Sequence, residues 1–199
     1  MIYQKTTDMV QIKKCTFEHM TKSYPCKEKS VLDGCMIMRQ SIKPEDVQSP
    51  FQVEAYALLF CISGEVNIIS DLRSYTVTPG TLFVYLPNNI IKIDCKKESI
   101  ISGVILAPDY LRKNFLQWNK ISPLFIQTAN NPVITIPTNR KDELIRMLDN
   151  IQERIKTATC SEWNRKAYHA ALKTFLYDII SLVNNPEFLK ITDIHQSRN

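Results

Sequence analysis

Residues able to do chemistry are few in this chain and lie far apart. Histidine occurs only at His19, His169 and His195, and no His-x-His or His-Glu-x-x-His grouping brings two imidazoles to one metal ion. The cysteines, Cys15, Cys26, Cys35, Cys61, Cys95 and Cys160, include no Cys-x-x-Cys pair. That scatter suits buried, reduced thiols better than a disulfide framework or a zinc knuckle. Four glycines leave little room for a phosphate-cradling loop, and no Gly-x-Ser-x-Gly elbow is present. The carboxylates nearest the apolar centre, Glu54, Glu65, Asp71 and Asp94, stand singly. These types and spacings point to a protein that is not an enzyme and uses no metal and no cofactor.

The elements that would position any site are easier to read. Between Phe51 and Ile93, apolar runs are broken only by turn signals at Ser63-Gly64, Ser70-Asp71, Thr78-Pro79-Gly80 and Pro87-Asn88-Asn89. The runs predict strands at about 53–62, 65–70, 74–77, 81–86, 90–94 and 100–106. Before them, VLDGCMIMRQSI predicts two strand pieces hinged at the turn dipeptide Asp33-Gly34. Residues 1–29 read as an arm with a short strand or turn near Tyr24-Pro25. Strands this short, with no room for crossover helices, argue for an antiparallel barrel or sandwich.

After Ala107-Pro108-Asp109 a helix begins, with Leu111, Phe115 and Trp118 on one face, and residues 132–137 predict a last strand closing the β-unit. Beyond Pro137 the period changes. Asn139 is placed to cap a helix whose apolar positions are Leu144, Met147, Leu148, Ile151 and Ile155. Thr159 and Glu162 suggest a capping box opening a second helix. Its stripe, Trp163, Tyr168, Leu172, Phe175, Leu176, Ile179 and Val183, is longer than one small β-unit needs and predicts a homodimer interface, the alternative being complete burial within one protomer. The domains expected are an arm and barrel over 1–137, a helical hairpin over 138–184 and a linker over 185–199.

Charge excludes one class of partner for this part of the molecule. The net +5 divides as +2 over residues 1–50, +1 over 51–139 and +2 over 140–199, with no basic stripe, so specific DNA binding by this chain alone is not expected. No secretory leader and no membrane span is seen, which predicts a cytoplasmic protein without membrane contact.

The stretch GEVNIISDLRSYTVTPGTLFVYLPNNI resembles the cupin barrel at the N-terminus of AraC/XylS-type transcription regulators, where a Gly-Glu turn leads into strands and a Pro-Gly turn precedes a run like LFVYLP. The motif likeness covers about residues 50–106 and extends more loosely through the helical hairpin. It implies a mainly β fold with C-terminal helices: a cupin-like antiparallel β-barrel, a double-stranded β-helix, followed by a helical hairpin. It also implies an effector-sensing and dimerisation domain, with DNA contacted only through a C-terminal helix-turn-helix part that this chain does not contain. The chain departs from metal-binding cupins at the positions where they carry ligands, which here are Phe51, Val53, Ala57, Leu86, Asn88 and Ile91. A ligand set of N and O donors cannot form from these side chains. Strand parity taken from the match at Ala57 turns Val53, Ala55, Ala57, Leu59 and Cys61 inward. With Val84, Ile91 and Ile93, the first four predict the wall of a pocket for a small effector; the alternative is a filled core. A stand-alone metal-free cupin that binds a small molecule, and a cupin enzyme, are the other readings that the likeness allows.

Overall fold

A computed structural model describes residues 12–23, 26, 28–46, 49–114 and 124–184. The expectations for Tyr24-Pro25, Phe115, Trp118, His195 and the 185–199 linker fall outside them. In chain order the elements are β1 (Lys13–Thr16), α1 (Phe17–Ser23), β2 (Glu28–Leu32), β3 (Cys35–Ile42), β4 (Phe51–Glu54), β5 (Tyr56–Ser63), β6 (Val66–Ser70), β7 (Arg73–Val77), β8 (Thr81–Tyr85), β9 (Ile90–Asp94), β10 (Ser99–Leu106), α2 (Pro108–Asn114), β11 (Val133–Thr135), α3 (Thr138–Thr157) and α4 (Glu162–Val183). The fold is mainly β with C-terminal helices, and no helix among the described residues is long and apolar enough to cross a membrane.

The strands form two sheets, β1-β4-β9-β6-β7 and β11-β8-β5-β10-β3-β2. Their pairings are antiparallel except β1 with β4, which run parallel. Residues Asp33 and Gly34 both have positive φ, the geometry expected of the β2–β3 hairpin turn. The predicted strand over 53–62 divides at Ala55, because β4 belongs to the smaller sheet and β5 to the larger. Ala55 is fully buried at that corner, where the chain crosses from one sheet to the other.

Burial patterns show what each sheet packs against. Strand β6 alternates buried and half-buried residues, as expected when one face meets the core and the other meets water. Ala57–Cys61 of β5 and Ile101–Leu106 of β10 are buried without interruption, so the larger sheet is covered on both faces. Its inner face meets the smaller sheet. Its outer face is covered by the hairpin of α3 and α4: the Phe60 and Phe175 rings lie 6.1 Å apart, and the Tyr168 hydroxyl donates to the Leu32 carbonyl at 3.5 Å. Each large aliphatic or aromatic side chain buried in this way contributes roughly 1.5–3 kcal/mol.

This covering corrects the expected dimer interface. Tyr168, Leu172, Phe175, Leu176 and Ile179 are inaccessible to solvent and Val183 is nearly so, within a single protomer; only Trp163 stays exposed, at 74%. The outer face of the larger sheet supplies the surface that the stripe needed. Two caps also differ from expectation. Helix α3 starts at Thr138 after Pro137 with no side-chain cap, so Asn139 lies inside its first turn. Helix α4 is capped by Ser161, whose Oγ accepts from the Asn164 N–H at 3.1 Å, and not by Thr159. Pro137 fixes φ ahead of α3 without a cap, and Ser161 stands one residue before the helix, where an Ncap belongs.

Candidate functional site

Between the sheets lies a cavity of about 40 Å³. Six of the seven predicted pocket residues line it: Val53, Ala55, Ala57, Leu59, Ile91 and Ile93. Register explains why they converge. Across the β5–β10 ladder, Leu59 stands opposite Gly103 and Ala57 opposite Ile105; across the β4–β9 ladder, Phe51 stands opposite Ile91. Directly paired residues share a face, so the inward parity of Ala57 carries over to Ile105 and that of Phe51 to Ile91. Phe51, Val53, Ala57 and Ile91, which the resemblance sets at the ligand positions of metal-binding cupins, therefore surround one space.

Val84 does not belong to this wall. It pairs with Leu58 and lies on the outer face, whereas the next residue, Tyr85, pairs with Ala57 and lines the cavity. The β5–β8 register decides this, and a one-residue offset in a strand moves a side chain to the opposite face. Cys61 faces inward opposite Ile101 but lies beyond the lining.

The wall also includes residues that the sequence reading did not place: Met20 of α1, Met38 of β3, Tyr85, Ile101 and Ile105. Met20 is 7% exposed and reaches the cavity from a helix in the arm, where weak periodicity gave no sign of one. Strand alternation within VLDGCMIMRQSI and ISGVIL was the signal that could have found Met38, Ile101 and Ile105.

Among the described residues the cavity wall presents one polar group, and it is already bonded. Tyr85 Oη accepts from the Val53 N–H at 2.9 Å and donates to the Asn89 carbonyl at 2.9 Å, with the Val53 carbonyl 3.0 Å away. Burial pushes its ionisation up to about 12, so it is a neutral phenol at physiological pH. The thiols of Cys15, Cys26, Cys35, Cys61 and Cys95 are likewise raised by desolvation, Cys35 to about 12, and a protonated buried thiol is a poor nucleophile. Among the described residues no group of three or more His, Cys, Asp or Glu side chains is placed to hold a metal ion. As the described residues build it, the site offers shape and apolar surface.

A separate polar cluster joins the hairpin to the β-unit. Tyr110 Oη lies 2.9 Å from His169 Nδ1, and His169 Nε2 lies 3.4 Å from Asp33 Oδ2. With Nδ1 accepting from Tyr110 and Nε2–H donating toward Asp33, neutral His169 links α2, α4 and the β2–β3 turn.

No protein-family model matches the sequence, and no curated protein matches it. Similar solved structures include the EutQ protein of Clostridium difficile, at 17% identity over 38% of this chain and 58% of that one, with a TM-score of 0.33. A second is the ethanolamine utilization protein Q of Salmonella typhimurium, at 8% identity over 39% of this chain and 65% of that one, with a TM-score of 0.36. A third is a cupin superfamily protein of Desulfitobacterium hafniense, at 18% identity over 39% of this chain and 72% of that one, with a TM-score of 0.37. The chain thus spans less than two thirds of the length of the first two.

Proposed function

We propose that this chain is the effector-sensing part of a cupin-type transcription regulator of the AraC kind, and that it takes a small apolar molecule between its two sheets. The observation that carries the reading is the cavity wall: twelve residues, eleven of them without a side-chain hydrogen-bonding group beyond thioether sulfur, and one tyrosine whose hydroxyl is tied to the backbone. Such a wall selects by shape and hydrophobicity. In this reading DNA is contacted by a helix-turn-helix unit outside this chain, and occupancy of the cavity is felt by the hairpin through the larger sheet, which the two share.

The ligand must be small or must make room. About 40 Å³ exceeds the roughly 10–15 Å³ that a water centre needs but falls well short of the roughly 150 Å³ that accepts benzene. Met20 and Met38 are the two flexible members of the wall, and their unbranched thioethers can swing aside at little cost. A thermal-shift panel of cyclic hydrocarbons, short ketones and phenols tests the reading, with Ala57→Leu as the filled control. At a hundred times Kd a ligand adds about 2.7 kcal/mol, which for a chain of this size raises Tm by roughly 5–10 °C. A panel with no stabiliser, or one that stabilises Ala57→Leu equally, would overturn it.

A further inference from the structure

Three side-chain polar atoms among the described residues are shut off from solvent without a hydrogen-bond partner: Arg39 Nε, Arg140 Nε and Gln40 Oε1. Both guanidinium groups are held through their other nitrogens, Arg39 by Asp149 at 2.9 Å, and Arg140 by Glu143 at 2.9 Å and Asp178 at 3.3 Å. That leaves the Gln40 acceptor, on a half-buried side chain, and a buried carbonyl oxygen without a partner is costly enough to be rare.

Register gives its place. In the β3–β10 ladder Gln40 stands opposite Ile101, and it lies two residues from Met38, so it shares the inner face of the larger sheet with both. Ile101 and Met38 line the cavity, and Gln40 lies beside them just outside the wall. Other polar side chains on this face are engaged: the Tyr85 hydroxyl by the backbone of Val53 and Asn89, Ser99 by the Glu65 carbonyl, and the Lys29 ammonium by the Thr21 carbonyl at 2.8 Å. A buried water needs roughly two to four polar partners, and the neighbours of Gln40 on this face, Met38, Ile42 and Ile101, supply none.

We infer that Gln40 sets the specificity of the cavity, with Oε1 accepting a hydrogen bond from a hydroxyl on the ligand, an assignment that rests on the cavity being a ligand site. The ligand class is then a small molecule, apolar over most of its surface, with one hydroxyl at the end facing β3. Met38 stands opposite Gly103, which has no side chain, and a swing of its flexible thioether opens the cavity toward the amide. An acceptor placed in this way rejects the analogue that lacks the hydroxyl, because it then stays unpaired.

Phenol and toluene, nearly equal in shape, test this on the full chain. Calorimetric titration of wild type, Gln40→Leu and Gln40→Met gives the ratio of the toluene Kd to the phenol Kd in each. That ratio should be about tenfold higher in wild type than in either variant. An equal ratio in all three, with both ligands bound, would overturn the role of Gln40 and leave the cavity an unselective apolar site. Binding of neither probe by wild type would overturn the cavity reading and the assignment with it. Without ligand, both variants should melt at or above the wild-type Tm, since each removes an unpaired buried acceptor. A lowered Tm in both would show that Gln40 serves the fold, and would overturn the assignment whatever the probes do.

Discussion

His169 shows how one side chain can tie the hairpin to the β-unit in a pH-dependent way. Burial lowers its pKa below 6.5, with Lys173 and Arg165 acting in the same direction and Asp33 opposing them. The folded protein therefore binds the His169 proton less readily than the unfolded chain does. The sign follows directly: between the folded value and 6.5 the unfolded state holds more protons, so stability is full above pH 6.5 and declines as pH falls through that window. Comparing urea midpoints of wild type and His169→Gln from pH 8 to pH 5 should show the wild type losing stability faster on acidification. Parallel pH profiles would show that His169 contributes nothing to the dependence. The histidine could be found in the sequence, but its partners could not. Asp33 and Tyr110 lie 136 and 59 positions away, and only the docking of α4 brings the three together.

Turns were the most legible elements, and two glycines separate the reasons. Gly64 joins β5 to β6 with φ +81, and a Cβ there would sit 2.3 Å from Ser99 Oγ and 2.9 Å from the Ser99 backbone. Gly80 joins β7 to β8 with φ +93 and nothing within 4 Å. Gly80→Ala should thus show the backbone penalty alone, about 1 kcal/mol, whereas Gly64→Ala adds a collision with neighbouring backbone and should cost several times as much. Denaturant unfolding of the two variants checks this, and equal losses would mean that the β10 end of the larger sheet yields freely. The strands were legible for the same reason as the turns, since their boundaries are punctuated locally. The split at Ala55 was not, because it depends on which sheet each half joins. The helical stripe was recognised but assigned to the wrong partner. The uninterrupted apolar runs of β5 and β10 already implied a second covering layer, and α4 supplies it.

At the scale of the molecule, three layers follow from these patterns: a half-exposed sheet, a sheet covered on both faces at its central strands and a helical hairpin. One continuous apolar cluster runs through all three, from Val66 and Ile68 through Leu58 and Phe60 to Phe175 and Ile179. The middle layer is the shared one, with the cavity on its inner face and the hairpin on its outer face, so under the proposed function a change in cavity volume would reach α4 through close-packed side chains. Four of the twelve wall residues, Val53, Ala55, Ala57 and Leu59, could be read from strand parity on either side of Ala57. Tyr85 and Met20 could not, since one needed the β5–β8 register and the other a helix in the arm. The most direct test uses methyl-resolved NMR of the chain labelled at methionine and alanine, titrated with benzene. The methyls of Met20, Met38, Ala55 and Ala57 should shift together and saturably while that of Ala129, exposed in a turn away from the cavity, stays fixed. Shifts confined to surface methyls, or none at the solubility limit of benzene, would contradict an apolar ligand site between the sheets.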